Sequence, residues 1–187
     1  LAETWKKLAF SEDVGIVFLE EVTGDGDASI DLENWYSTDY DTYVVELINI
    51  IPATDTDILY LRVSTDGGSS YDSGNNYGTA VFYLRDGASS HSLGSNSGAS
   101  VILLSDGLSN VVAEGGVNGS MTLYNPGSIT HYKAINFTLS MIHSTSSYLY
   151  NMWGTGKYYS TSAINAFQLF MSSGNISGTV RVYGIRK

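Results

Sequence analysis

Apolar and polar side chains alternate along most of this chain. Leu59, Leu61 and Val63 interleave with Tyr60, Arg62 and Ser64, the period of a strand with one buried face. Ile135, Phe137, Leu139 and Met141 alternate with Ala134, Asn136, Thr138 and Ser140; near the C-terminus Val180 and Val182 alternate with Thr179, Arg181 and Tyr183. Between Tyr43 and Ile51 both parities are mostly apolar, which predicts a strand covered on both sides. Pro52 closes it by removing a ladder donor. The same grammar predicts strands over Val14 to Glu21, Thr42 to Ile51, Ile58 to Ser64, Ala80 to Arg85 and Ala99 to Leu104. It continues over Gly119 to Tyr124, Tyr132 to His143, Tyr148 to Trp153, Ala163 to Met171 and Gly178 to Ile185. This spacing predicts an all-β, antiparallel β-sandwich with about ten strands.

Turn chemistry punctuates these segments. Asp-Gly pairs at 66–67, 86–87 and 106–107 and the run Asn125-Pro126-Gly127 mark turns. The serine-rich stretches Gly67 to Gly78 and Gly87 to Gly98 read as long loops projecting from one end of the sandwich. A single helical turn is expected over Ile30 to Ser37, capped by Ser29 or Asp31. Residues 1–13 read as a connecting segment and 14–187 as one sandwich domain. The opening LAETWKKLAF does not form a signal-peptide pattern, and its leading leucine predicts a trimmed or processed chain.

Nineteen acidic residues against nine basic ones give a net charge of −10 and a pI near 4.4. Such a chain repels phosphate backbones and anionic bilayers, so nucleic acid and membrane insertion are not expected. The charge serves solubility at high local density or supplies carboxylates to Ca²⁺. There is no cysteine, which removes disulfides and thiolate metal sites.

Catalytic constellations are missing from the pattern. There is no Gly-x-Ser-x-Gly elbow, and His91, His131 and His143 do not share a ligand spacing. No enzymatic activity and no obligatory cofactor are expected. The pairs Asp25/Asp27 and Asp39/Asp41 are candidates for structural Ca²⁺, with Asp55/Asp57 a third pair of the same form. The DGDASIDLE run fails as an EF-hand loop, since Ile30 stands at its glycine and Tyr36 at its glutamate. Gly154-Thr155-Gly156-Lys157 lacks the first glycine of a phosphate loop and reads as a turn. The three Asn-x-Ser/Thr triplets are no more than such a composition produces. Aromatic residues carry more information. Tyr148, Tyr150, Trp153, Tyr158 and Tyr159 crowd one segment, and Tyr71 and Tyr77 flank a glycine-rich loop. Tyrosines also favour half-buried sheet surfaces, but exposed rings stack on sugars and anchor protein contacts. The candidate glycan or partner contacts are therefore Tyr71, Tyr77, Tyr148, Tyr150, Trp153 and Tyr158.

The run YDTYVVELINIIPATDTDILYLRVSTDGGSSYDSG, the later GSMTLYNPGS and the ending AINAFQLFMSSGNISGTVRVYGI resemble a family of phage and prophage virion proteins. The resemblance spans roughly Ile16 to Arg186. It implies a jelly-roll domain on the virion surface, as a tail-fibre tip, head fibre or capsid decoration, with no catalytic residues. It further implies a homotrimer contacting other tail or capsid proteins and host-surface polysaccharide. Two roles follow as expectations. One is attachment to host glycans, and the other is a purely architectural, particle-stabilising part. A polysaccharide depolymerase would need two facing acids, which no spacing here supplies.

Overall fold

The computed structural model describes residues 15–86, 91–145 and 147–187, with the backbone alone at 91–93. The chain forms β1 (Ile16–Asp27), β2 (Ile30–Leu32), β3 (Tyr40–Pro52), β4 (Leu59–Ser64), β5 (Tyr77–Arg85) and β6 (His91–Ala99). It continues through β7 (Ile102–Leu103), β8 (Val117–Tyr124), β9 (Lys133–Ile142), β10 (Leu149–Tyr158), β11 (Ala166–Met171) and β12 (Ile176–Arg186). A 3₁₀ turn at Val112–Glu114 is the one helical element among the described residues. All ten expected segments carry strand.

Two antiparallel sheets result. One has the order β1-β12-β3-β8-β9-β10-β5-β6, the other β2-β11-β4-β7. Without β5, β6, β9 and β10, the remaining eight strands divide into two four-stranded halves, β1-β12-β3-β8 and β2-β11-β4-β7. That is the jelly-roll order. The hairpins β5–β6 and β9–β10 are additions that extend only the larger sheet.

Alternation decides which side chains enter the core. Ile135, Phe137, Leu139 and Met141 point inward from β9, and Val180 and Val182 from β12. Leu59, Leu61 and Val63 of β4 meet them from the smaller sheet. Each such aliphatic side chain, fully withdrawn from water, contributes about 1.5–3 kcal/mol. One end is filled by rings: Trp35 meets Tyr43 edge-on at 4.7 Å and lies 5.6 Å from Phe167.

β3 is not covered on both sides. Tyr43, Val45 and Leu47 point inward, then Ile50 and Pro52, while Val44, Glu46 and Ile48 are half-exposed. The mixed parity records a bulge. The register slips between Leu47 and Ile50, and Asn49 takes φ 51° with its N–H donating to the Asn118 side chain.

Four other expectations are corrected. Residues 30–32 form a strand rather than a helical turn, because buried Ile30 and Leu32 flank Asp31 with period two and pair with β11. Most of the Gly87 to Gly98 stretch is edge strand β6 in register with β5, and residues 87–90 lie outside those described. The Gly67 to Gly78 loop does not project: the Asp72 N–H bonds to the Val63 carbonyl and draws it back over β4. Gly154 to Lys157 belongs to β10 rather than to a turn.

On β12, Gly178 lies beside the bulge at φ 133°, and a Cβ there would come within 2.6 Å of the Asn49 carbonyl oxygen. Gly178→Ala should destabilise the fold by about 1–3 kcal/mol through backbone strain, read as a lowered urea midpoint.

Candidate functional site

Strand parity sorts the six candidate aromatic residues. On β10, Tyr150, Met152 and Tyr158 face inward, while Trp153, Thr155 and Lys157 face out. Tyr77, Tyr150 and Tyr158 are 0%, 5% and 4% exposed, so they are core residues and offer no face to a ligand. Tyr77 pairs directly with Tyr158, their rings 5.1 Å apart. The Tyr77 hydroxyl accepts the Val63 N–H at 3.1 Å and donates to the Asp72 carbonyl at 2.9 Å, tying the two sheets and the loop together. Tyr150 stacks between Tyr83 and His143. Tyr71 is half-buried and donates to Glu33. Tyr148 is exposed at the start of β10, under the Arg85 guanidinium.

Trp153 remains as an open ring, 39% exposed, on the outer face of the larger sheet. Its register partners are Phe82 on β5 and Thr138 on β9. The Phe82 and Trp153 rings are 5.7 Å apart and inclined at 33°. They border a solvent-open trough of about 610 Å³ whose other side chains include Ala80, Ser95, Asn136, Thr138 and Thr155. The Thr155 hydroxyl donates to Asn136 Oδ1 at 3.0 Å and orients that amide. Gly154, next to Trp153, faces inward, where a Cβ would strike the Phe137 ring at 2.1 Å. The core ring thus occupies the space of the missing side chain. The trough offers one apolar platform surrounded by neutral hydrogen-bonding groups.

Phe82, Asn136 and Thr138 escaped the sequence reading because they reach Trp153 only across strands. The inward Tyr150 and Tyr158 were readable from their parity with Met152, once the glycines are taken as strand residues.

The aspartate pairs do not converge. The register sets Asp25 beside Ser177 and Ile51, whereas Asp39 and Asp41 lie at the opposite end of the sheet, where Arg186 meets Tyr40. The Asp27 carboxylate accepts the Asp25 N–H, and that of Asp41 accepts the Thr42 hydroxyl. Among the described residues no three His, Asp or Glu side chains are grouped to hold a metal ion. His143 lies 4.0 Å from Asp106 at the end of β9, and the buried Asp57 carboxylate caps Ser172 and Ser173. Among the described residues no helix is long and apolar enough to cross a membrane.

Two carboxylates latch the 65–76 loop. The Ser64 and Ser70 hydroxyls and the Ser70 N–H donate to Asp66 and hold its pKa down at about 2. Burial would raise Asp72, but the Tyr158 hydroxyl, the Gly74 N–H and the Asn76 amide outweigh it and leave its pKa below the ordinary range. The same burial and hydrogen bond push the Tyr158 phenol up to about 12.

No family model, curated protein or solved structure matches this chain. Fold and site therefore define its class: an all-β jelly-roll sandwich with an aromatic, hydroxyl-lined trough on one outer sheet face.

Tyr77→Phe should cost about 1–3 kcal/mol in urea denaturation, because it leaves the buried Val63 N–H without an acceptor. Asp66 has a folded pKa below its unfolded value of 3.8, so its contribution to stability is complete above pH 3.8 and lost as pH falls through about 2. A carboxyl NMR titration should place the Asp66 midpoint near 2, and Ser70→Ala should move it upward.

Proposed function

We propose that this chain is a non-enzymatic display domain on the outside of a bacteriophage particle, attaching to host-surface glycans through the Trp153 face. The observation that carries the reading is the open Trp153 ring beside Phe82, at the rim of a neutral trough lined by Asn136, Thr138 and Thr155. A pyranose ring has an apolar face that stacks on an indole and a rim of hydroxyls that need amide and hydroxyl partners. Jelly rolls serve capsid and lectin domains alike, an analogy of fold that agrees with the reading without choosing it. The net charge of −10 and the absence of cysteine suit a protein crowded on a particle surface. A homotrimer around a fibre axis would multiply weak sugar contacts by avidity.

A different surface favours the architectural role. Ile16 and Phe18 on edge strand β1 are 67% and 56% exposed, and Phe18 packs edge-on against Tyr183. With Val44 and Ile185 they form an apolar strip at the opposite end of the same outer face. Such a strip suits contact with another virion protein.

Trp153→Ala should leave the fold intact and lower binding to immobilised host polysaccharide, and adsorption of particles, by about tenfold or more. Unchanged adsorption would remove the receptor role. Phe18→Asp with normal glycan binding but loss of the protein from particles would assign the apolar strip to assembly.

A further inference from the structure

The Trp153 trough does not end at β10 residue 155. It shares Ala80, Ser95 and Thr155 with a second hollow of about 260 Å³ that reaches Lys157 and Tyr159. Lys157 in turn borders a third hollow of about 440 Å³ beside His131 and Tyr132. The three form one groove running along β10. Trp153 and Lys157 are four residues apart on the strand, or ~13 Å at the rise of a β-strand. Aromatic rings stand at both ends. The Tyr159 ring lies over Gly78, where a Cβ would meet its hydroxyl at 2.7 Å, and Tyr132 packs edge-on against it at 5.8 Å. Beside the Tyr159–Tyr132 pair, exposed Lys157 holds its ammonium 5.7 Å from the Tyr132 centroid.

Charge is divided unevenly over the fold. None of the nineteen acidic residues lies on β5, β6, β9 or β10, the four strands of the larger sheet that carry the groove, nor on the adjoining β8. Those strands carry Arg85, Lys133 and Lys157. Lys133 is buried beneath the far end of the groove, its ammonium donating to the carbonyls of His131 and Thr161, with no carboxylate within 4 Å among the described residues. The nearest acid below β10, Asp72, is turned to the inner side and occupied by Tyr158, Gly74 and Asn76. Asp86 lies at the other end of β10, where it accepts the Leu149 N–H. A strongly acidic protein thus presents a long groove without acids and with an exposed cation along it, which is complementary to an anionic chain.

We propose that this groove binds an extended, carboxylate-bearing polysaccharide, with Trp153 and Tyr159 stacking on sugar faces and Lys157 pairing with a carboxylate between them. The proposal rests on the glycan-attachment reading and names its ligand class. Several linked pyranose units fit between the ring groups, and a partly exposed ammonium–carboxylate contact distinguishes acidic from neutral units by about three- to tenfold.

The test is an array of bacterial surface polysaccharides, each printed in its native uronate form and after chemical reduction of its carboxyl groups. The native form should be preferred by about three- to tenfold, and the preference should shrink as salt rises. Lys157→Met should abolish the preference while leaving the reduced form bound as before, and Trp153→Ala should weaken both forms. Circular dichroism confirms that each variant is folded. Equal binding of native and reduced forms, or an equal loss on both with Lys157→Met, would overturn the acidic-ligand assignment while leaving glycan attachment in place. Binding to no polysaccharide in either form would remove the attachment reading and this inference with it.

Discussion

The larger sheet has twice as many strands as the smaller one, and the rest of the structure depends on how the surplus apolar face is covered. The inner sides of β5, β9 and β10 cannot all reach β2, β11 and β4. They are sealed by Ile102 on β7, by Leu104 and Leu108 in the segment that follows, and by the Tyr77–Tyr158 pair, all buried. Tyr77 adds the polar tie, since its hydroxyl satisfies a Val63 N–H that would otherwise be orphaned between the layers. With the inner face sealed in this way, the outer face of the same strands is free to be polar and open.

Close packing on the inside shapes the outside. Gly154 and Gly156 interrupt a strand otherwise rich in large residues, because the Phe137 ring and the Ile102 side chain occupy the space a Cβ would need. Both glycines face inward, and the outward Trp153, Thr155 and Lys157 stand between and beside them. A core requirement therefore fixes the two glycines that separate the groove-lining side chains of this strand.

The jelly-roll halves and the added hairpins divide the labour. The first half of the larger sheet carries the bulge at Asn49 and Gly178, the acids Glu20, Glu21 and Glu46, and the apolar strip around Phe18. The hairpins β5–β6 and β9–β10 carry the groove and no acids. Proteins commonly place recognition on additions to a scaffold that folds without them. Here the additions are strands rather than loops, so the groups lining the groove are held in register by a hydrogen-bonded ladder.

Strand positions and most inward residues were legible in the sequence because a side-chain period of two is a local property of a pleated strand. Leu59, Leu61 and Val63, or Ile135 to Met141, could be assigned without knowing what they touch. Locality also set the limit. The both-sided apolar run in β3 looked like a strand covered on both sides, and only the neighbouring strands reveal a bulge that switches its parity. Six aromatic residues looked alike as candidates, yet three of them fill the core, since the direction of each ring depends on where β10 begins and on what lies across from its glycines. The sequence by itself determined an acidic, cysteine-free, antiparallel sandwich, through composition and alternation. Tertiary structure alone decided that Trp153 meets Phe82, Asn136 and Thr138, and that every acid is kept off the groove-bearing strands, because those relations join residues brought together only by cross-strand pairing.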